Sequence, residues 1–460
     1  TWASSTWVCA MNDSLHDVVV IGGGMSGLTA AIHLAGEGLR TALVSRGDPV
    51  CSLSTGCIDV LDIGKRPLEA MGELPEGHPY RLVGRKGIED ALKMFRDLMA
   101  EGPSPYVGTT RRNREILTPI GTFKTTCLVP RTMEASQGCR DEHLHVISFH
   151  GIRDFYPSYI TSRLPNTSFS IYDAGASSTL AIATRFEEEG FVDDFCTWLS
   201  GLEIPPGRVA VPAVLGLRNP VSLMNAISAR IGRDVFEIPT LPPSIPGLRL
   251  FRALKAAFQN RGGDVFWGNA ISSVETRGDM VEAVTLAASG RPSRVQGRVF
   301  ILATGSFVSG GLFATRDAVK EIVFGLPVDI PGPRNDWFWN DFFTTGHPIE
   351  GSGIEVDSCF RPVMSGLKNL FVCGSILARS EIMKYRCGHG MALATGRLLE
   401  HVPGTAKIGR MAVLPAMRGS NIGRAVLDAL MAVARAQGER EVLLHAQISA
   451  AGFYQRAGFQ

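Results

Sequence analysis

The sequence predicts an α/β fold: a Rossmann-like βαβ unit in a mixed sheet, a lobe inserted between its two halves, and a smaller α/β segment at the C-terminal end. Three observations predict it. A β-branched run at 16–21 leads into Gly22-Gly23-Gly24-Met25-Ser26-Gly27, and then into a segment of helical period at 28–36 with Leu28, Ala31, Ile32 and Ala35 on one face. Buried-strand patterns return far downstream, at 298–303, ending in Ala303-Thr304-Gly305, and at 370–373. Between the two halves, residues 105–245 mix short strands with many Pro and Gly, as a cap or substrate lobe does.

The elements follow in order. Residues 39–45 read as the second strand of the βαβ unit. Residues 88–100 form an amphipathic helix with Ile88, Leu92, Phe95 and Met99 inward. After the lobe come a helix at 248–260, a strand at 264–267, and a hairpin over 271–286 that turns at Gly278-Asp279. A helix is expected from about Gly390. The organisation is a leader at 1–10, a nucleotide domain in two parts at 11–104 and 246–400, the lobe at 105–245, a linker at 401–407, and a separate module at 408–460. The leader precedes Met11, which reads as the natural start.

Composition narrows the function classes. The chain has 460 residues, enough for two or three lobes, with 45% apolar and 20% charged residues. A net charge of +2 lacks the basic surplus of a nucleic-acid binder. Nine Cys without a CxxC pair argue against a zinc ribbon, a thioredoxin-type motif or a cysteine-ligated cluster, and fit reduced thiols in a cytoplasmic compartment. The apolar run 18–36 is rich in glycine and carries His33, so it makes a poor bilayer helix and no direct membrane span is expected. Residues 1–10 have neither the basic nor the apolar region of a secretory signal.

The chemistry begins at the Gly-rich turn. Gly22 permits a tight turn, Gly24 lets the backbone approach a phosphate, and Gly27 lets helix and strand pack closely. With Met25 and Ser26, these residues place a helix N-terminus where it attracts phosphate charge. The segment ending in Ala303, Thr304 and Gly305, and the later Asn369-Leu-Phe-Val-Cys-Gly374, are similar to segments of two-dinucleotide-fold flavoproteins. One departure matters. Binders of flavin adenine dinucleotide (FAD) usually end the second strand with a carboxylate that holds the adenosine ribose. Here that position is Ser45, followed by Arg46. This is compatible with the mononucleotide FMN as cofactor, with FAD, held differently, as the alternative. Ser54, Thr55 and the Gly56 amide lie in a loop expected near the flavin, as do Gly374, Ser375, Gly388 and Gly390. Cys51 and Cys57 have no paired base in view and read as unreactive.

From about Asp17 to Leu399 the chain resembles the B-subunit family of anaerobic glycerol-3-phosphate dehydrogenase. The resemblance rests on Val20-Ile-Gly-Gly-Gly-Met-Ser-Gly-Leu28, Ser54-Thr-Gly-Cys-Ile-Asp-Val60, Leu241-Pro-Pro-Ser-Ile-Pro-Gly-Leu-Arg249, Gly305-Ser-Phe-Val-Ser-Gly-Gly-Leu312 and Cys387-Gly-His-Gly390, with shorter matches between them. It implies an FMN-containing subunit working with a second flavoprotein subunit and a membrane-associated iron–sulfur subunit. Such a complex oxidises glycerol 3-phosphate to dihydroxyacetone phosphate and passes electrons to quinone in anaerobic respiration. The chain would then be cytoplasmic, held at the inner face of the membrane through its partner. His389, His347 and Asp341 are candidates for the substrate base by residue type alone. Arg249 and Arg316 are candidates for a substrate phosphate. Two alternatives stay open at this point: oxidation on the partner subunit with this chain relaying electrons or serving assembly, and an acetyl-CoA-dependent N-acetyltransferase.

The second alternative comes from residues 408–460, which resemble the second half of the GNAT superfamily of N-acetyltransferases. Arg418-Gly419-Ser-Asn-Ile422-Gly423 resembles the acyl-CoA pyrophosphate loop, with Asn421 in place of the usual glycine. Tyr454 falls where those enzymes often place a general acid. A strand at 408–413, a helix at 422–437 and a strand at 442–446 are expected. The fold's first strands and last two strands have no counterpart, so the module is expected to be a truncated fusion rather than a working acetyltransferase.

Overall fold

A computed structural model describes residues 15–63, 66–287, 292–397, 405–408, 422–436, 441–444 and 451–456. The chain divides into two compact units, Thr1–Leu398 and Leu399–Gln460.

The first unit opens with β1 (His16–Ile21), α1 (Met25–Gly36) and β2 (Thr41–Ser45), the βαβ unit that the Gly-rich turn predicts. α1 starts three residues earlier than its hydrophobic period suggests, because Met25, Ser26 and Gly27 already have helical geometry. α2 (Pro79–Ala100) is longer than the helix expected at 88–100. Its interior Gly84 takes φ 71° and ψ 163°, a kink that hides the first turns from a periodicity argument. Pro79 sits in the first turn, and the Tyr80 amide donates to His78 Nδ1 at 3.1 Å, capping the start.

The chain then leaves the first sheet. β3 (Arg114–Leu117) and β4 (Phe123–Thr126) pair as an antiparallel hairpin, with Ile116 opposite Lys124. β5 (His143–Phe149), β6 (Thr167–Tyr172), β7 (Gly207–Pro212) and β8 (Val235–Ile238) form a four-stranded sheet in the order β8-β7-β5-β6. Every pair in it is parallel. Helices cover it, and Phe149, Phe186, Phe195, Val209 and Phe236 sit in one core cluster. A parallel sheet buried this way was not legible in a segment rich in Pro and Gly, where each strand is short.

The return path runs through α3 (Ile245–Asn260), β9 (Asp264–Trp267), β10 (Ala270–Arg277), β11 (Met280–Ala287), β12 (Ser293–Leu302), β13 (Leu370–Val372) and α4 (Gly388–Arg397). The seven-stranded sheet has the order β9-β2-β1-β12-β11-β10, with β13 also on β12. β12 is used twice along its length. Ser293 to Gln296 pair antiparallel with β11, and Gly297 to Leu302 pair parallel with β1. The C-terminal ends of β2, β1, β12 and β13 therefore open on one edge, where ligands bind in open α/β sheets.

A buried ion pair joins the four-stranded sheet to α3. Arg249 of α3 makes a two-pronged contact with Glu237 of β8, at 2.6 and 2.9 Å. Arg249 Nε also donates to the Gly216 carbonyl at 2.8 Å, while Thr132 Oγ1 and the Leu215 amide donate to the carboxylate. The substrate-phosphate role expected for Arg249 is thereby corrected: its donors are spent on a partner that is fully buried.

The second unit contains β14 (Thr405–Ile408), α5 (Ile422–Ala436), β15 (Glu441–Leu444) and α6 (Ala451–Arg456). β14 and β15 pair in parallel. The strand expected at 408–413 is found earlier, ending at Ile408, and the rest of that range lies outside the described residues.

Removing one partner of the buried pair tests its role. Glu237→Gln is expected to destabilise the first unit by about 3–5 kcal/mol, because it leaves the Arg249 charge uncompensated in the interior. Urea denaturation of the variant against the parent measures this, and an unchanged midpoint would remove the pair as the joint between β8 and α3.

Candidate functional site

A cavity of about 820 Å³ lies at the edge where β1, β2 and β12 end. Its wall contains Gly22, Gly24, Met25 and Ser26 from the turn, Ser45 and Arg46 from the end of β2, Ala303, Thr304 and Gly305 after β12, Ser375 after β13, and Gly388 and His389 at the start of α4.

Close backbone approach makes this junction. Gly22 has φ +118°, and a Cβ there would lie 2.3 Å from the Ala303 carbonyl oxygen. A Cβ on Gly27 would lie 1.9 Å from the Gly22 carbonyl oxygen. Gly27 therefore shapes the turn from behind and does not line the cavity. Gly24 has open space where a side chain would project. The Gly22 amide is spent on the Val44 carbonyl at 2.8 Å, and the Leu28 amide bonds the Gly24 carbonyl at 2.9 Å, which leaves the helix-start amides between them for a ligand.

Ser45 is buried, and its hydroxyl donates to the Gly47 carbonyl at 2.9 Å. Arg46 is exposed at the wall, where a Cβ on Gly310 would lie 2.8 Å from its Nη2. Arg46 and Asp48 are the arginine and the carboxylic side chain of the described lining. No carboxylate stands at the end of β2 itself.

His389 is half-buried in the wall, and its Nδ1 lies 2.9 Å from the Cys57 carbonyl oxygen. A carbonyl only accepts, so Nδ1 carries the proton and Nε2 keeps its lone pair. Burial lowers the imidazole pKa below its ordinary value and keeps the ring neutral. Close by, Lys124 and Asp59 pair at 2.7 Å. Burial works against the Lys124 ammonium, yet the Asp59 carboxylate holds its pKa above the usual lysine value. The sequence offered no signal for this pair, because β4 and the loop after β2 are far apart in the chain. Burial pushes the Cys51 thiol up to about 12 and the Cys57 thiol up to about 11, so neither is a nucleophile near neutral pH.

Several expected site residues stand elsewhere. Ser54, Thr55 and Gly56 do not line the cavity. Ser54 Oγ donates to the Cys51 carbonyl at 2.7 Å and accepts from the Gly56 amide at 3.2 Å, and Gly56 packs on Pro246. Thr55 is turned toward Lys124, at 3.5 Å. Their polar groups close a turn instead of facing the cavity. Gly374 and Gly390 act by being small: a Cβ would lie 2.2 Å from Ser26 Oγ at the first and 2.6 Å from the Tyr80 hydroxyl at the second. His347 and Asp341 belong to a surface loop outside the cavity wall. His347 Nδ1 accepts from the Trp339 amide and Nε2 donates to the Phe342 carbonyl, while Asp341 accepts from the Phe343 amide, so all are consumed by local turns. Arg316 is exposed and also lies outside the wall. In the second unit, Arg418 and Gly419 lie outside the described residues, Ile422 and Gly423 open α5, and Tyr454 is buried in α6.

A family model described as an FAD binding domain matches residues 17–391. The chain belongs to this FAD-binding family. Its cofactor is a flavin, and the cavity fits one: a glycine opening onto free space, helix-start amides without intrahelical partners, and room between three strand ends. A model of the acetyltransferase (GNAT) domain matches residues 378–460. Among curated relatives, the B subunit of anaerobic glycerol-3-phosphate dehydrogenase from Vibrio vulnificus is 28% identical over 414 residues, covering 83% of this chain and 94% of that protein. The protein of that name from Actinobacillus pleuropneumoniae is 28% identical over 429 residues, covering 85% and 99%. Among solved structures, an FAD-complexed glycerol-3-phosphate dehydrogenase from Bacillus halodurans matches with a TM-score of 0.26 and 12% identity, covering 65% of this chain and 36% of that one. The chain of this FAD-binding family is thus a flavoprotein whose curated relatives are dehydrogenase subunits.

The close approach at the turn gives a direct test. Gly22→Ala is expected to abolish flavin retention, because the added methyl meets the Ala303 backbone rather than a movable side chain. The flavin-to-protein absorbance ratio of the purified variant measures this, and full retention would mean that the turn does not hold the cofactor.

Proposed function

We propose that this chain is the flavin-bearing B subunit of a glycerol-3-phosphate dehydrogenase, oxidising glycerol 3-phosphate to dihydroxyacetone phosphate. The observation that carries the reading is the meeting of the Gly-rich turn, the Ala303–Gly305 segment and His389 on one cavity, in a chain whose relatives bear that name. A flavin bound there supplies hydride acceptance from the C2 position of the alcohol. The chain's own residues do the rest. The turn amides and the α1 N-terminus hold phosphate. His389 Nε2, with its lone pair free, takes the hydroxyl proton, and the Cys57 carbonyl fixes the tautomer through Nδ1.

The absence of a carboxylate at Ser45, with Arg46 next to it, favours FMN over FAD. A dinucleotide would leave its adenosine ribose without the usual acceptor. The electrons continue to a second flavoprotein subunit, a membrane-associated iron–sulfur subunit and quinone, with this chain cytoplasmic and peripheral at the inner membrane face. No helix among the described residues is long and apolar enough to cross a membrane, which fits attachment through a partner. A second reading, in which the chain only relays electrons, is separated by the same experiment.

Anaerobic addition of glycerol 3-phosphate to the purified, flavin-loaded chain is expected to bleach the flavin band without any partner. No bleaching would assign the oxidation to the partner subunit. His389→Gln is expected to slow bleaching by about 10²–10⁴-fold while leaving flavin content intact. The sign of the pH effect follows from the lowered imidazole pKa. His389 is a competent base at neutral pH, and the rate falls only as pH drops below the ordinary histidine value. A rate indifferent to both the substitution and acid would remove His389 from the chemistry.

A further inference from the structure

The carbonyl that fixes the His389 tautomer belongs to residues 55–59, a short strap between the β3–β4 hairpin and the start of α4. Hydrogen bonds to its backbone hold the strap in place. The Tyr106 hydroxyl donates to the Gly56 carbonyl at 2.6 Å, the Ile58 amide to the Leu128 carbonyl at 2.8 Å, and the Gly390 amide to the Asp59 carbonyl at 2.9 Å. Lys124, on β4, meets the strap at two points. Its Nζ lies 2.7 Å from Asp59 Oδ2 and 3.5 Å from Thr55 Oγ1. Those residues stand two positions either side of Cys57, so one ammonium spans the residue whose carbonyl holds His389.

The Lys124 and Asp59 side chains are only 25% and 22% exposed, so solvent and salt screen them less than a surface pair. Asp59 Oδ1 is sealed from solvent and has no hydrogen-bond partner, which leaves Lys124 as the cation matched to this carboxylate. The two charges act on the imidazole in opposite senses: the carboxylate favours its proton and the ammonium opposes it. The neighbouring Cys57, Cys387 and Tyr80 are neutral, because burial pushes the pKa of each of them up. Arg114 shares the Lys124 face of the hairpin, and the Arg386 charge acts on Lys124. Arg46 and Asp48 stand in the cavity wall, while His33, Asp90, Lys93 and Asp97 lie with Arg397 at the far end of α4.

We propose that Lys124 and Asp59 are positioning residues for His389, bracing Cys57 so that its carbonyl keeps the proton on Nδ1 and leaves Nε2 open to the cavity. The proposal rests on His389 as the substrate base. Thr55 is part of the brace, which gives its hydroxyl a use outside the cavity wall. Balance matters as much as position. A carboxylate alone beside the ring would favour imidazolium, which has no lone pair to take the substrate proton.

NMR titration of the histidine-labelled full chain, with and without bound flavin, reads the imidazole directly, and His389→Gln assigns its signal. Breaking the pair from its two ends is expected to move the titration midpoint of that signal in opposite directions. Lys124→Gln leaves the carboxylate and raises it, whereas Asp59→Asn leaves the ammonium and lowers it. A merely structural pair would move both the same way. The acid limb of bleaching by glycerol 3-phosphate is expected to follow, up in the first variant and down in the second. Both variants are expected to lose about tenfold in rate on the neutral plateau at unchanged flavin content, because the ring is less well held. Lys124→Arg, which keeps the charge, is expected to restore the parent midpoint. Asp59→Asn is close to isosteric and decides the matter if Lys124→Gln does not fold: a midpoint it leaves unchanged or raises overturns the proposal. Midpoints that do not move, or that move together, overturn it even where His389→Gln slows bleaching. Bleaching indifferent to His389→Gln overturns the base assignment, and the positioning role with it.

Discussion

The first unit depends on how closely backbone can approach backbone at Gly22. β1 and β12 lie side by side, and the Gly22 turn passes directly over the end of β12. There is no room for a Cβ at Gly22 against Ala303, or at Gly27 against Gly22 itself. The two absences are coupled. The turn must be tight for α1 to start where it does, and α1 must lie close for its first amides to face the cavity. Everything that gives the cavity its chemistry is placed relative to that start: Ser45 and Arg46 one strand away, the Ala303–Gly305 segment on the other side, and Ser26 against Gly374 beneath.

Charge placement follows a second rule, that the interior admits charges only in satisfied sets. The Arg249–Glu237 pair is matched donor for acceptor and ties α3 to the edge strand of the four-stranded sheet. Glu321 obeys the same rule without a cation. Burial raises its pKa, and the amides of Val323, Phe324 and Leu326 offset that by donating to the carboxylate, which fixes the loop behind Ile322 and Val323 at the cavity rim.

Local pattern carried much of this into the sequence. β1 and β9 lie where alternation and β-branching put them, and the hairpin of β10 and β11 turns at Gly278-Asp279 as its composition indicates. Gly22, Gly24, Ser45, Arg46, the Ala303–Gly305 segment, Ser375 and Gly388 were legible and line the cavity, because each belongs to a short motif with a physical reason for its spacing, and His389, read by type, lines it too. The failures share a cause. Arg249, His347 and Asp341 were read by residue type, and type does not reveal a partner that is distant in the chain or a local turn that consumes the side chain. Ser54, Thr55 and Gly56 were placed in a loop near the cavity, and only the hydrogen bonds of the turn show that their polar groups face one another.

The sequence by itself determined that a strand, a glycine turn and a helix would follow one another at the cavity edge, and that Ser45 and Arg46 stand where a carboxylate usually ends the second strand. Those are properties of contiguous residues, where sterics and hydrogen bonding act over a few positions. The tertiary structure alone decided which histidine keeps a free Nε2, which arginine is spent on Glu237, and that Lys124 finds Asp59. Each of these depends on burial and on contacts between segments far apart in the chain, and no local pattern encodes which of them meet.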